Sequence, residues 1–345
     1  MMEVDSLFEI QKQKNRRRFL MMGLFLLLIV VTFFISMNTG LTKLSPVEVL
    51  KTLFGNGTEK QSLILFEFRL PRIVIAVLVG AGLAISGCIL QGISRNALAD
   101  PGILGINSGA ALMVVIFISF FPKTADAPIL LMPFLALVGG CVTAAIIYVL
   151  SYSKRNGLMP QRMLLNGIAI AAGIGALITI LTLRMDPFDY QFIAVWLAGK
   201  IWGTTWVHVL TLLPWIIVLF TYIFYKSRIL DGLNFGEQLA TGMGVKVEKE
   251  RFLLLGAAVA LASACVSVSG GIGFVGLVGP HLARQLVGNH HRFLLPLSAL
   301  AGGLVLLVAD TIGRTILAPS EIHAGIMVAI IGAPYFLYLL ARSKA

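Results

Sequence analysis

Ten stretches of this chain stay apolar for roughly the length that crosses a lipid bilayer. That pattern limits the possible folds more than any other feature. A hydrocarbon core of about 30 Å needs about 20 apolar residues in a helix. The runs lie at 19–35, 72–93, 103–121, 128–150, 163–183, 207–225, 252–269, 272–288, 294–317 and 324–341. Inside a bilayer every backbone N–H and C=O must be paired within the protein, so the runs are expected as helices. Composition agrees: of 345 residues, 58% are hydrophobic and 12% charged, about half the charged share of a soluble domain. A soluble enzyme, a disordered chain, a coiled coil and a small disulfide scaffold are excluded. The expected fold class is an all-α polytopic membrane protein with about ten transmembrane helices, forming one domain over 1–345.

Charge sets the expected orientation. Lys12, Lys14, Arg16, Arg17 and Arg18 close a polar N-terminal tail, 1–18, read as cytoplasmic. No small-x-small cleavage site follows the first apolar run, so it is read as a membrane span rather than a signal peptide. With ten spans and both termini inside, 18 of the 27 lysines and arginines fall on inner segments and 9 on outer ones. This asymmetry obeys the positive-inside rule. The net charge of +11 is thereby a topological signal, and no nucleic-acid partner is needed to explain it. Cys88, Cys141 and Cys265 fall inside spans, where they act as small apolar residues. No disulfide framework or zinc spacing is present, and no metal or other cofactor is implied.

Several chemistries are missing. There is no G-x-x-x-x-G-K-[ST] phosphate loop, so the chain does not hydrolyse a nucleotide by that route. Gly271-Ile272-Gly273-Phe274-Val275-Gly276 fits G-x-G-x-x-G but begins a membrane run with no preceding strand, which favours close helix packing. The 272–288 run is short and broken by Gly279-Pro280, so it is expected to be bent or discontinuous. Ionisable residues are nearly absent from the spans, which argues against an ion-coupled transporter. Asp310 is the main exception, and its spacing from Arg314 predicts an i,i+4 ion pair. Small-residue segments 80–88 and 256–264 align and run in opposite directions, a candidate inverted repeat.

Three segments stand out as sites. Arg69-Leu70-Pro71-Arg72 sits at the outer mouth of the second span, with two cations expected to face outward toward an acidic partner. "QGISRNALADPGILGINSG" (91–109) breaks helical structure at membrane depth, which is tolerated only where backbone is buried in protein or lines a cavity. The longest inner segment, 226–251, interleaves apolar residues with polar ones and glycines. It reads as short amphipathic helices at the membrane surface, suited to a cytoplasmic partner. The outer stretch 187–206 is too short to span and is expected as a partly inserted helix.

The stretches 69–110, beginning RLPRIVIAVLVG, and 270–342, beginning GGIGFVGLVGPHLARQ, resemble the FecCD family. These are permease subunits of importers for iron(III)-siderophores, haem and cobalamin. The resemblance implies a pair of permeases around a central pathway, two cytoplasmic ATPase subunits, an extracytoplasmic binding protein and a lipid environment. It also implies roles for single residues. Arg69, Arg72 and Arg314 match arginines that pair with acidic residues of the binding protein. Asn96, Ala97 and Leu98 match a cytoplasmic gate whose middle residue is commonly Pro, from which Ala97 departs. Pro160 and Gln161 match a second gate position. Gly236, Glu237, Ala240 and Gly244 match the helices that seat in the ATPase groove. The function implied is that of a permease for an iron(III)-siderophore importer, with a haem or cobalamin importer permease as the alternative and a stand-alone secondary transporter as the rival from a different class.

Overall fold

The computed structural model describes residues 2–39, 44–102, 105–120, 131–153, 157–201, 203–317 and 320–342. Of the cations that set the expected orientation, Lys43, Lys123, Lys154, Arg155 and Lys344 lie outside the described residues. Among the described residues, each of the ten apolar runs contains a helix. The helices are α1 (Met2–Asn38), α2 (Pro46–Leu53), α3 (Glu59–Ser62), α4 (Leu70–Ser94), α5 (Ile106–Phe120), α6 (Leu131–Ser151), α7 (Pro160–Thr182) and α8 (Pro187–Leu197). There follow α9 (Trp206–Tyr225), α10 (Ser227–Asn234), α11 (Glu237–Gly242), α12 (Val247–Ser269), α13 (Val275–Val287), α14 (His291–Ile316) and α15 (Ala324–Arg342). A two-stranded hairpin, Tyr152–Ser153 with Gly157–Leu158, precedes α7. Among the described residues seven helices are long and apolar enough to cross a membrane, and α5 and α15 are shorter apolar helices.

Helix α4 runs through the centre, packed against α12, α13 and α14, while α1, α7 and α9 turn most of their surface outward. Leu165, Ile168, Leu177 and Ile180 of α7 are all exposed; only lipid or a protein partner can cover such a face. The small-residue segments predicted to run in opposite directions pack antiparallel. Gly82 lies against Cys265, and Ser86 Oγ donates to the carbonyl of Ala258 at 2.8 Å.

The structure sharpens four sequence expectations. Residues 2–18 continue into the first span as one helix rather than forming a separate tail. The 272–288 run is discontinuous: α13 has 13 residues and follows an irregular stretch after Ser269. The outer stretch 187–206 holds α8, started by Asp186, whose carboxylate accepts from the amides of Phe188 and Asp189. The second span starts early, because a π-helical stretch, Leu63–Arg69, joins α3 to α4.

Candidate functional site

Three arginines distant in sequence meet at the outer end of the bundle. Arg69 ends the π-helical stretch, Arg72 lies in the first turn of α4, and Arg314 lies in the last turn of α14. Their expected outward orientation is corrected. Arg69, Arg72 and Arg314 are only 7%, 11% and 8% exposed, because Asp310 and backbone carbonyls draw them inward. Arg72 Nε lies 3.1 and 3.0 Å from the two Asp310 oxygens, and its Nη2 lies 2.8 Å from Oδ1. The predicted Asp310–Arg314 pair is present at 3.5 Å, but Arg72 is the closer partner. Arg314 also donates to the Ser36 carbonyl at 3.1 Å and to its hydroxyl, and Arg69 donates to the carbonyl of Met37. Asp310 is 1% exposed; a carboxylate so buried persists only when paired. The outermost member of the cluster is Glu321, which sequence reasoning missed. It binds Arg72 through two contacts, at 3.3 and 2.9 Å.

At the inner end, α4 stops at Arg95, which adopts the left-handed region with φ of 50°. This is an unusual conformation for a residue other than glycine. It turns the chain into the predicted gate loop. There the Asn96 amide donates to Ser94 Oγ at 3.3 Å, and Asn96 Oδ1 accepts from the Leu98 amide at 2.9 Å. Ala97 is exposed, whereas Ala99, Asp100 and Pro101 are buried. The loop folds back so that Asp100 and Pro101 lie against Gly276 of α13. This is irregular backbone buried in protein, as its composition required.

Arg95 borders two cavities. One of about 260 Å³ includes Gln91, Ala97, Asn234 and Arg284 in its lining. The other, of about 410 Å³, brings Ser94 and Arg95 together with Gln161 and Glu237. The end of α4, the second predicted gate position and the inner amphipathic segment thus share one cavity, while Ala97 of the predicted gate loop lines the other. Pro160 is the first residue of α7.

The amphipathic reading of 226–251 takes the form of α10 and α11. Gly236 separates them with φ of 118°, and Gly244 follows α11 with φ of 84°, conformations that favour glycine. Ala240 is buried. Glu237 pairs with Arg251 at 3.3 Å. Phe235, Leu239 and Met243, spaced at i, i+4 and i+8, are each more than half exposed. Arg95 Nε donates to the Leu233 carbonyl at 3.1 Å, tying the end of α4 and the predicted gate loop to α10. On the other side of α10, Asp231 accepts from the backbone N–H of His291 at 2.9 Å and contacts its ring Nδ1 at 2.7 Å. Burial alone would raise the Asp231 carboxyl, but hydrogen bonds from the side chain and backbone of His291, with electrostatic attraction from His291 and His290, hold it below the usual range. His291 is buried at the start of α14, whereas the adjacent His290 is exposed. Among the described residues no group of three or more His, Cys, Asp or Glu could hold a metal ion.

A bundle of long apolar helices with charged clusters at both ends, and a helix-breaking loop folded into it, defines a multi-pass membrane protein. The comparisons supply the particular family. Residues 27–342 match the FecCD transport family, and the chain belongs to it. It is 48% identical to the iron(3+)-hydroxamate import system permease protein FhuG of Bacillus subtilis, over 96% of this chain and 100% of that protein. It is 44% identical to the iron-uptake system permease protein FeuC of the same organism, over 93% and 97% of the two chains. A solved structure described as an inward-facing conformation of a metal-chelate type ABC transporter superposes with a TM-score of 0.82 at 32% identity. That match covers 93% of this chain and 98% of the other. The protein is a multi-pass permease of the cytoplasmic membrane with a transport role rather than a catalytic one.

Proposed function

We propose that this chain is the permease subunit of an ATP-driven importer that carries an iron(III)-siderophore complex, with hydroxamates as the first class to test. The full-length similarity to a hydroxamate importer permease carries the substrate assignment. In this reading two permeases pair, ATP is hydrolysed on separate cytoplasmic subunits, and an extracytoplasmic binding protein delivers the substrate. Arg69, Arg72 and Arg314 attract acidic groups of that binding protein. The exposed row of Phe235, Leu239 and Met243, with Gly236, Glu237, Ala240 and Gly244 shaping the helix that bears it, seats in a groove of the ATPase. Asn96, Ala97, Leu98, Pro160 and Gln161 gate the inner end of the pathway. ATP-driven closure of the cytoplasmic subunits moves the inner helices, and the bundle rocks between outward- and inward-open states.

The test is uptake of radiolabelled iron-hydroxamate in cells that depend on this permease, with Arg69→Gln and Arg314→Gln introduced together, which leaves Asp310 paired with Arg72. The reading predicts a loss of uptake of at least about tenfold with the protein still in the membrane, since the docking site loses two of its three cations. Unchanged uptake would remove the docking role. Growth rescue on single siderophores then identifies the substrate, and rescue by haem alone would overturn the siderophore assignment.

A further inference from the structure

The outer cluster contains a carboxylate that is not needed to keep its arginines folded. Asp310 already occupies Arg72 through Nε and Nη2 and lies within ion-pair distance of Arg314. It is fully enclosed and cannot be exchanged without leaving two buried guanidiniums short of a partner. Glu321 differs in every respect. It is 38% exposed, and it sits outside helical structure, in the segment just before α15. The backbone there is pinned to α14, since the Ile322 amide donates to the Gly313 carbonyl at 3.0 Å. Only the side chain is free to swing, and it lies against Nη1 and Nη2 of Arg72.

We propose that Glu321 is an internal occupant of the docking site, and that an acidic protein partner binds by exchanging its carboxylate for that of Glu321 on Arg72. This rests on the docking role proposed above. The planar guanidinium fork holds a two-oxygen acceptor in a defined orientation. A carboxylate of the partner matches the one already there. Throughout the exchange Arg72 keeps Asp310, so no stage exposes a bare buried charge. The released Glu321 side chain goes to water. Three guanidiniums against two carboxylates leave the cluster at +1, so it still attracts acid. The internal competitor lowers the affinity and so speeds release of a partner that must leave after each delivery.

The measurement is binding of the substrate-loaded binding protein of this importer to the complete importer in lipid nanodiscs, at low and high salt. Glu321→Gln should tighten binding about two- to fivefold, the range of a partly exposed ion pair. It should also steepen the salt dependence, because the cluster rises to +2. In an Arg72→Gln background the same change should have little effect, since the competition runs through Arg72. If Arg72→Gln weakens binding but Glu321→Gln does not tighten it, exchange is wrong and docking stands. Equal tightening with and without Arg72 would reduce Glu321 to a long-range charge and also overturn exchange. If Arg72→Gln leaves binding unchanged, the docking role of Arg72 itself fails. Should Arg72→Gln fail to assemble, Arg72→Lys replaces it as the background that keeps the charge beside Asp310 but lacks the two-pronged fork, and absence of tightening in Glu321→Gln alone still overturns exchange.

Discussion

Asp310 and Glu321 contact the same guanidinium, yet burial gives them opposite consequences. Asp310 lies between Arg72 and Arg314 with almost no solvent access. Asp310→Ala would leave both cations buried and underpaired, a cost of about 3–5 kcal/mol. The purified permease should therefore lose several degrees of Tm, or fail to accumulate in the membrane. Glu321→Gln removes a half-exposed partner and should change stability by less than about 1 kcal/mol. Equal losses in the two variants would contradict this division of roles. Only part of the cluster was legible in the sequence. The Asp310–Arg314 pair follows from helical spacing. Arg72 and Glu321 are 249 positions apart, and no local periodicity brings them together. The inward turn of the arginines was hidden for the same reason, since it depends on Asp310 and on the carbonyls of Ser36 and Met37.

At the scale of elements, hydrophobic length was the most legible signal, and all ten apolar runs fell on helices. Shorter elements are set by capping, and two were missed although their signals are present. Ser45 and Glu48 form a capping box that starts α2 behind Pro46, and Thr58 and Gln61 form another that starts α3. Helix approach is a second feature beyond sequence periodicity. A Cβ at Gly87 of α4 would collide with the backbone carbonyl of Gly276 in α13, and backbone cannot yield as a flexible side chain can. Gly87→Ala should cost about 1–3 kcal/mol through overpacking. Gly23→Ala in α1, with open space around it, should leave Tm unchanged or slightly raised. The inner helices make a different prediction. Leu239→Asp or Met243→Asp places a charge in the proposed ATPase groove. Co-purification of the ATPase should fall at least about tenfold, with the permease itself as stable as before, because both side chains are exposed.

Over the whole molecule, two central helices connect the outer cluster to the inner helices. Helix α4 carries Arg72 near its start and is capped by Arg95, whose side chain holds α10. Its 25 residues span about 37 Å at 1.5 Å per residue. Helix α14 begins with His291, bonded to Asp231 of α10, and ends with Asp310 and Arg314. Movement of α10 would act on both helices that reach the proposed docking face, and in the proposed importer this would couple ATP closure inside to partner release outside. The bilayer sets the apolar length of each crossing helix, so that scale was legible early. The linkage was not, because it runs through tertiary hydrogen bonds. The most direct test of the account is transport in proteoliposomes holding the permease with its ATPase, supplied with binding protein and radiolabelled iron-hydroxamate. Accumulation should require both ATP hydrolysis and the binding protein, and should be indifferent to an imposed proton or sodium gradient. Accumulation driven by such a gradient, with the ATPase absent, would contradict it.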